Sequence, residues 1–105
     1  MANPWRGDVS LEIDGETHVM RLTLGALAGL EAELGTGSLV GLVQRFESSE
    51  FSSADVLALL NAGLQGGRCD VDGGALLHAE IGGGPMAAAR AAAELLARAF
   101  VTPGA

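Results

Sequence analysis

An acidic run with a glycine is the part of this chain that most resembles a metal-binding loop. Asp70-Val71-Asp72-Gly73 has the alternating carboxylates of a calcium loop, in which oxygen ligands occupy fixed positions. With Gly73 as the loop's glycine, however, Arg68 stands at the first ligand position and Ala79 at the closing glutamate. The spacing is instead typical of a helix cap and turn, so we expect no calcium site.

Cys69, His18 and His78 are the remaining side chains that could bind a metal or act as nucleophile and base. A structural zinc site needs four nitrogen or sulfur ligands, which this chain lacks. Cys69 or a serine could attack a substrate with a histidine as base, but no spacing selects a pair. His18 is typical of a partly buried core histidine, and His78 of a solvated helix residue. We therefore predict no metal site and no enzymatic activity, with a small hydrolase using His78 as the open alternative.

Two glycine-rich stretches could in principle hold a phosphate. Residues 35–41 miss the dinucleotide-binding spacing by one residue and follow a predicted helix instead of a strand. Gly82-Gly83-Gly84 lacks the lysine and the hydroxyl residue of a nucleotide-binding loop. Loops between helices explain both stretches, so we predict no cofactor.

Composition limits the class of protein and of partner. The 105 residues suit one domain, 1–105, and 49% hydrophobic residues favour a packed core. Thirteen acidic residues against six scattered arginines and no lysine give a net charge of -7, which disfavours nucleic acid and anionic membranes. No segment resembles a signal peptide or a membrane span, and the single cysteine suits a reducing compartment. We expect a soluble, cytoplasmic protein.

Residues 8–23 predict a β-hairpin that would position His18. Asp14-Gly15 is a two-residue turn signal, and the resulting register places Ile13 opposite Glu16. Asp8 and Arg21 are expected to form an exposed charge pair, while Trp5 extends the apolar face. That face is predicted to point into the core, and it comprises Val9, Leu11, Ile13, His18, Met20 and Leu22.

Helices are predicted to cover this hairpin. Thr23 would cap a first helix carrying Leu24, Leu27, Leu30 and Leu34 and ending at Gly35. A second helix starts near Ser38 and carries Leu39, Leu42, Val43 and Phe46. Ser52 and Asp55 have the spacing of a capping box before a third helix that stops at Gly66-Gly67. Asp72 could cap a short helix over residues 73–81.

The last predicted helix begins at Pro85 and runs to about Phe100. One side carries Arg90, Glu94 and Arg98 at spacings of four. The opposite side is apolar and wide enough to pack on the domain and leave an edge for a partner helix. The candidate partner-binding residues on it are Ala88, Ala92, Leu95, Leu96, Ala99 and Phe100. The predicted fold is therefore α+β and mainly helical, an N-terminal β-hairpin packed on four to five short α-helices.

Several segments together resemble a known family. They are Asn3-Pro4-Trp5-Arg6-Gly7, residues 22–35, Phe51-Ser52-Ser53-Ala54-Asp55-Val56, Ala62-Gly63-Leu64 and residues 84–90. In order and spacing they resemble a small tail protein of the gene transfer agents, phage-like particles encoded in alphaproteobacterial genomes. The resemblance covers nearly the whole chain and is least clear from Arg68 to Glu80.

The resemblance implies a role in tail assembly. The family is similar to the tail assembly chaperones, which hold the tape-measure protein soluble while tube subunits polymerise around it. It has also been labelled a tail tube protein, but a tube subunit needs long strands, whereas one hairpin precedes mostly helical sequence here. The resemblance implies a non-enzymatic chaperone whose partners are the tape-measure protein and the tail tube protein. The alternative is a structural component, tube or tail terminator, retained in the particle.

Overall fold

The computed structural model describes residues 7–34, 39–69, 71 and 73–99. Within these residues the fold is α+β and mainly helical, as predicted, with an N-terminal hairpin followed by helices. The elements are β1 (Val9–Ile13), β2 (Glu16–Met20), α1 (Leu24–Leu34), α2 (Leu39–Glu47), α3 (Ser53–Gly66), α4 (Gly73–His78) and α5 (Gly84–Ala99).

The hairpin has the predicted register. Ile13 pairs with Glu16, and Asp14 and Gly15 both have positive φ angles, as the turn between these strands requires. The predicted core face is buried apart from His18, which is half-buried. Trp5, which was expected to extend this face, lies outside the described residues.

A further segment closes part of the outer edge of β1. Ile81 forms an antiparallel bridge with Ile13, and the Gly82 amide donates to the Glu12 carbonyl at 2.9 Å. The Asp14 amide likewise donates to the Glu80 carbonyl at 2.8 Å. The predicted helix over residues 73–81 is too long, because α4 ends at His78 and the chain then pairs with the hairpin. The added pairing satisfies backbone groups at an otherwise open strand edge.

Local capping signals set the helix starts. The Thr23 hydroxyl accepts from the Ala26 amide at 3.1 Å, as expected of an N-cap. Ser52 and Asp55 form the predicted capping box at the start of α3, each accepting from the other's backbone amide. The proposed roles of Gly35 and Asp72 lie outside the described residues.

The leucines predicted at helical spacing on α1 lie on the helix but differ in burial. Leu30 is buried, but Leu24 is 84% exposed, and Ala26 takes its place in the core. Six residues of helix turn through about 600°, so Leu24 and Leu30 point in different directions, whereas Ala26 and Leu30 are one turn apart.

Helix α3 is the centre of the molecule, packing against α1, α5 and β2. Its last turn approaches β2 so closely that the Arg21 amide donates to the Gly63 carbonyl at 2.9 Å. A Cβ atom on Gly66 would lie 1.9 Å from the Arg21 carbonyl oxygen, and one on Gly67 would lie 2.1 Å from that of Val19. The two glycines therefore allow helix and strand backbones to touch.

The predicted pair of Asp8 and Arg21 is present, but its expected exposure is wrong. Arg21 Nε lies 2.8 Å from Asp8 Oδ1, and only 4% of the Asp8 side chain is exposed. Helix α5 packs on β1 here, and the Arg98 guanidinium donates to the Asp8 carbonyl oxygen. The Asp8 carboxylate, which the hairpin alone would leave solvated, is thus largely removed from water.

Candidate partner-binding surface

The apolar side of α5, predicted to bind a partner, lies mostly in the core. Ala88, Ala92, Leu95 and Leu96 are buried, Ala99 is half-buried, and Phe100 lies outside the described residues. The cause is the packing of α5 against α3 and β1. Partner binding at this side stays a prediction. Ala88 and Leu96 are the members of the set that a partner could contact, because each lines a surface hollow.

Leu96 lines a hollow of about 320 Å³ between α2 and α5. Val43 and Phe46 of α2 form one wall, and Ala93 and Ala97 form the other with Leu96. Of the described residues that line it, Glu47 alone carries a charge. The hollow exists because alanines on α5 face larger side chains on α2 and leave the space between them unfilled.

Two further hollows meet near the start of α5. The first, of about 360 Å³, lies between α3 and α5 and includes Phe51, Leu57 and Met86. The second, of about 540 Å³, lies between α4 and α5 and includes Leu77. Leu57 and Pro85 line both, so the two hollows adjoin along one side of the molecule and together make one surface. We call this surface the apolar groove, defined by Phe51, Val56, Leu57, Leu77, Pro85 and Met86.

Two large side chains of the apolar groove stand in water. Leu77 is 61% exposed and Met86 is 74% exposed. Sequence reasoning did not select either residue. A signal was present for Leu77, because adjacent residues on a helix point in different directions and Leu76 is the buried member of the pair. Exposed apolar side chains beside a concave surface are typical of a protein interaction site.

The link between α2 and α3 positions the aromatic wall of the groove. Arg45 donates to both carboxylate oxygens of Asp55, at 2.9 and 3.0 Å. Beside this ion pair, the rings of Phe46 and Phe51 stack with centroids 4.5 Å apart. Phe46 lines the α2–α5 hollow and Phe51 the apolar groove, so the stacked pair contributes one ring to each surface.

The ion pair also changes the protonation equilibrium of Asp55. The hydrogen bonds from Arg45 lower the pKa of the Asp55 carboxyl below its ordinary value of 3.8, against the opposing effect of burial. The Ser52 amide donates to the same carboxylate and lowers its pKa further. The charged form is therefore favoured in the fold, and Asp55 joins the start of α3 to the end of α2.

The residues considered for chemistry are dispersed. The Cys69 thiol donates to the Val19 carbonyl oxygen at 3.3 Å, at the end of α3. His18 is half-buried in the hairpin with Nε2 4.0 Å from Glu16 Oε2, and His78 is exposed at the end of α4. In the part of the chain that the structure describes, no three histidine, cysteine or acidic side chains lie together as a metal site would require.

The helices are short relative to a bilayer. Within residues 7–34, 39–69, 71 and 73–99, none combines the length and the apolar character that crossing a membrane requires.

Comparison with known families assigns the chain to phage tails. The family model described as "Phage tail tube protein, GTA-gp10" matches residues 6–102. The chain belongs to this family. No curated protein and no solved structure matches it. The predicted relation to the tail proteins of gene transfer agents is confirmed at the level of the family. Membership in a family of structural tail proteins also supports the expected lack of enzymatic activity.

Proposed function

We propose that this tail protein is an assembly chaperone that binds the tape-measure protein and keeps it soluble while tail tube subunits polymerise. The observation that carries the proposal is the apolar groove on an acidic, mainly helical body. Leu77 and Met86 expose apolar surface that a folded monomer does not need for its own core. This surface is therefore already formed before a temporary partner binds, and it remains after that partner leaves.

The hairpin supports a chaperone over a tube subunit. A tube ring is built by strands that pair between subunits, which requires open strand edges. The edge of β1 is bonded to Glu80 and Gly82, and the Arg98 guanidinium occupies the Asp8 carbonyl. On the other side, the Arg21 amide donates to the Gly63 carbonyl. Both edges of the hairpin are thus occupied in part by the protein's own groups.

The charge of the protein suits a solubilising role. A net charge of -7 on 105 residues keeps the protein and any complex apart from other copies by repulsion.

The predicted face on α5 contributes in this proposal through Ala88 and Leu96, which line the surface hollows, whereas Ala92 and Leu95 support the fold.

A second candidate is a tail component retained in the particle. The family description as a tail tube protein favours it. In that case the apolar groove would be covered permanently by a neighbouring tail subunit, and the protein would reside in the particle. The two candidates therefore differ in whether the protein remains after assembly.

Co-expression with the tape-measure protein tests the proposal. We expect the tape-measure protein in the soluble fraction with this protein and in the pellet without it. An unrelated acidic protein of similar size is the control for a general charge effect. Equal solubility of the tape-measure protein in all three samples would refute the chaperone function.

Purified particles distinguish the second candidate. A chaperone is absent from them or present in trace amounts, whereas a tube or terminator protein is present in a fixed ratio to the other tail proteins. Quantitative mass spectrometry of particles made by the producing bacterium gives this ratio.

A further inference from the structure

We propose that the apolar groove binds a basic amphipathic helix, with the partner's apolar side against Leu57, Leu77 and Met86 and its cationic residues beside the acidic rim. This inference rests on the proposed function, in which the helix belongs to the tape-measure protein. It adds the site and the chemistry of the partner segment.

The shape of the groove suits a helix. The two hollows share Leu57 and Pro85 and run between helices α3, α4 and α5. Helices commonly bind in such grooves through apolar side chains spaced by three and four residues. The small side chains of Ala88 and Ala89 line one wall and allow a helix backbone to approach. Met86 is unbranched and exposed, so it can adapt its shape to the bound side chains.

The charge at the rim selects a cationic partner. Among the described residues that line the two hollows, Glu80 is the one that carries a charge. Its backbone is held by Asp14, whose amide donates to the Glu80 carbonyl and whose carboxylate accepts from the Glu80 amide, each at 2.8 Å. The backbone that carries the exposed Glu80 side chain is therefore held at the edge of the groove.

Arginines offset the charge at this rim only in part. Arg21, Arg45 and Arg98 each lie within 3.4 Å of a carboxylate oxygen of Asp8, Asp55 or Glu94, whereas Arg90 is exposed on α5, four residues after Met86. The surplus of thirteen acidic residues over six arginines is left to the rest of the surface. A lysine-rich or arginine-rich segment is attracted to such a protein, whereas a second copy, also at -7, is repelled.

The experiment uses the full chain and two matched double variants. Leu77→Glu with Met86→Glu changes the groove, and Leu24→Glu with Val40→Glu changes two exposed apolar residues outside it. Both add the same charge, and all four side chains are at least 61% exposed. Circular dichroism melting verifies that each variant folds. If the groove variant unfolds, Leu77→Gln with Met86→Gln replaces it.

Two probes are used with each protein. One is the co-expressed tape-measure protein, read out by its soluble fraction. The other is a synthetic amphipathic helix of about 15 residues, roughly four turns, with leucines on one face and lysines on the other. A peptide with glutamates in place of the lysines is its control. Calorimetry gives the dissociation constants.

The inference expects a loss confined to the groove. The groove variant should bind the lysine peptide at least about tenfold more weakly, a difference of roughly 1.4 kcal/mol, while the control variant should bind it like the wild type. Binding should weaken as salt is added, because part of the attraction is between exposed charges. The glutamate peptide should bind measurably more weakly than the lysine peptide.

Other outcomes overturn specific parts of the inference. If the groove variant solubilises the tape-measure protein as well as the wild type does, the site is wrong although the chaperone function stands. If the wild type fails to solubilise it but binds the lysine peptide through the groove, the proposed function fails and the partner is another basic helix. Equal binding of the glutamate peptide would refute the charge argument. Concentration-dependent dimers that only the groove variant loses would assign the groove to a second copy.

Discussion

Helices α3 and α5 both pass through two regions of this molecule, one closely packed and the other open to solvent. At the hairpin end, the last turn of α3 meets β2 backbone to backbone, and Arg98 of α5 reaches the Asp8 carbonyl. At the groove end, Leu57 of α3 and Pro85 of α5 line open space, and Met86 is 74% exposed. One pair of helices thus closes one region and leaves the other open.

The difference shows what closes a small aliphatic core. Glycines at the hairpin end have no side chain to hold helix and strand apart, and the buried ion pair of Asp8 and Arg21 lies beside this contact. At the groove end, leucines and alanines of unequal size leave space that the chain itself does not fill in the described residues. We therefore expect substitutions at the hairpin end to change stability, and substitutions of the exposed groove residues to change binding.

The largest expected effect is that of Gly66→Ala. Its Cβ would lie 1.9 Å from the Arg21 carbonyl oxygen, a backbone atom that cannot rotate away, so the helix and β2 must separate. We expect a loss of about 3 kcal/mol in the free energy of unfolding, measured by urea denaturation. Gly29→Ala in α1 is the matched control, because its Cβ meets nothing within 4 Å. It should raise stability by up to about 1 kcal/mol, and equal effects of the two changes would contradict the close contact.

A smaller loss is expected when the buried ion pair is broken. Arg21→Met removes the guanidinium that lies 2.8 Å from the Asp8 carboxylate, whose side chain is only 4% exposed. Since Arg21 is itself 30% exposed, we expect a cost of about 2 kcal/mol, below that of a fully buried pair. Arg90→Met, at an exposed position on α5, should change stability by less than about 0.5 kcal/mol. If both variants have the same stability as the wild type, the ion pair does not stabilise the hairpin end.

The third effect is dependent on pH and tests the link that positions Phe51. The pKa of Asp55 is lowered in the fold by Arg45, so the charged carboxylate stabilises the protein above its unfolded pKa near 3.8. That stability is lost as the pH falls through the still lower pKa of the folded state. Asp55→Asn should cost about 1 kcal/mol at pH 7, since Arg45 is partly exposed, and the difference from wild type should shrink in acid. A difference that stays constant down to pH 2 would contradict the assignment, and Glu33→Gln is the control for loss of one exposed charge.

The smallest effect on stability is expected in the apolar groove. Leu77→Glu and Met86→Glu, tested singly, should each shift the free energy of unfolding by less than about 0.5 kcal/mol, because both side chains are exposed. Thermal melts monitored by circular dichroism give the comparison. A loss near that of Gly66→Ala would show that the groove belongs to the core, and the contrast between the two regions would fail.

The elements of the fold were predictable because their signals are local. Asp14-Gly15 sets the hairpin turn and its register, and the Ser52 and Asp55 capping box sets the start of α3. Each depends on residues within a few positions along the chain. The glycines at the end of α3 were predicted as a stop, but the structure gives them a second role, the space for β2, which no local pattern contains.

The candidate site was predictable only in part. The apolar side of α5 was identified from its spacing, yet spacing cannot state which neighbour covers it, and α3 and β1 cover most of it. The exposed Leu77 and Met86 belong to short or terminal turns where helical periodicity has too few residues to assign a face. Leu77 and Met86 line adjoining hollows that share Leu57 and Pro85, so the groove combines residues from three helices.

By itself, the sequence determined the α+β class, the hairpin register, the helix caps and the relation to phage tail proteins, since these follow from short-range spacing and the order of segments. Only the tertiary structure decided that Asp8 is buried, that Ile81 pairs with Ile13, and that Leu77 and Met86 border one groove. The physical reason is that burial and exposure depend on which distant surfaces pack together. A side chain's type determines how much free energy its burial contributes, while its neighbours in space determine whether it is buried at all.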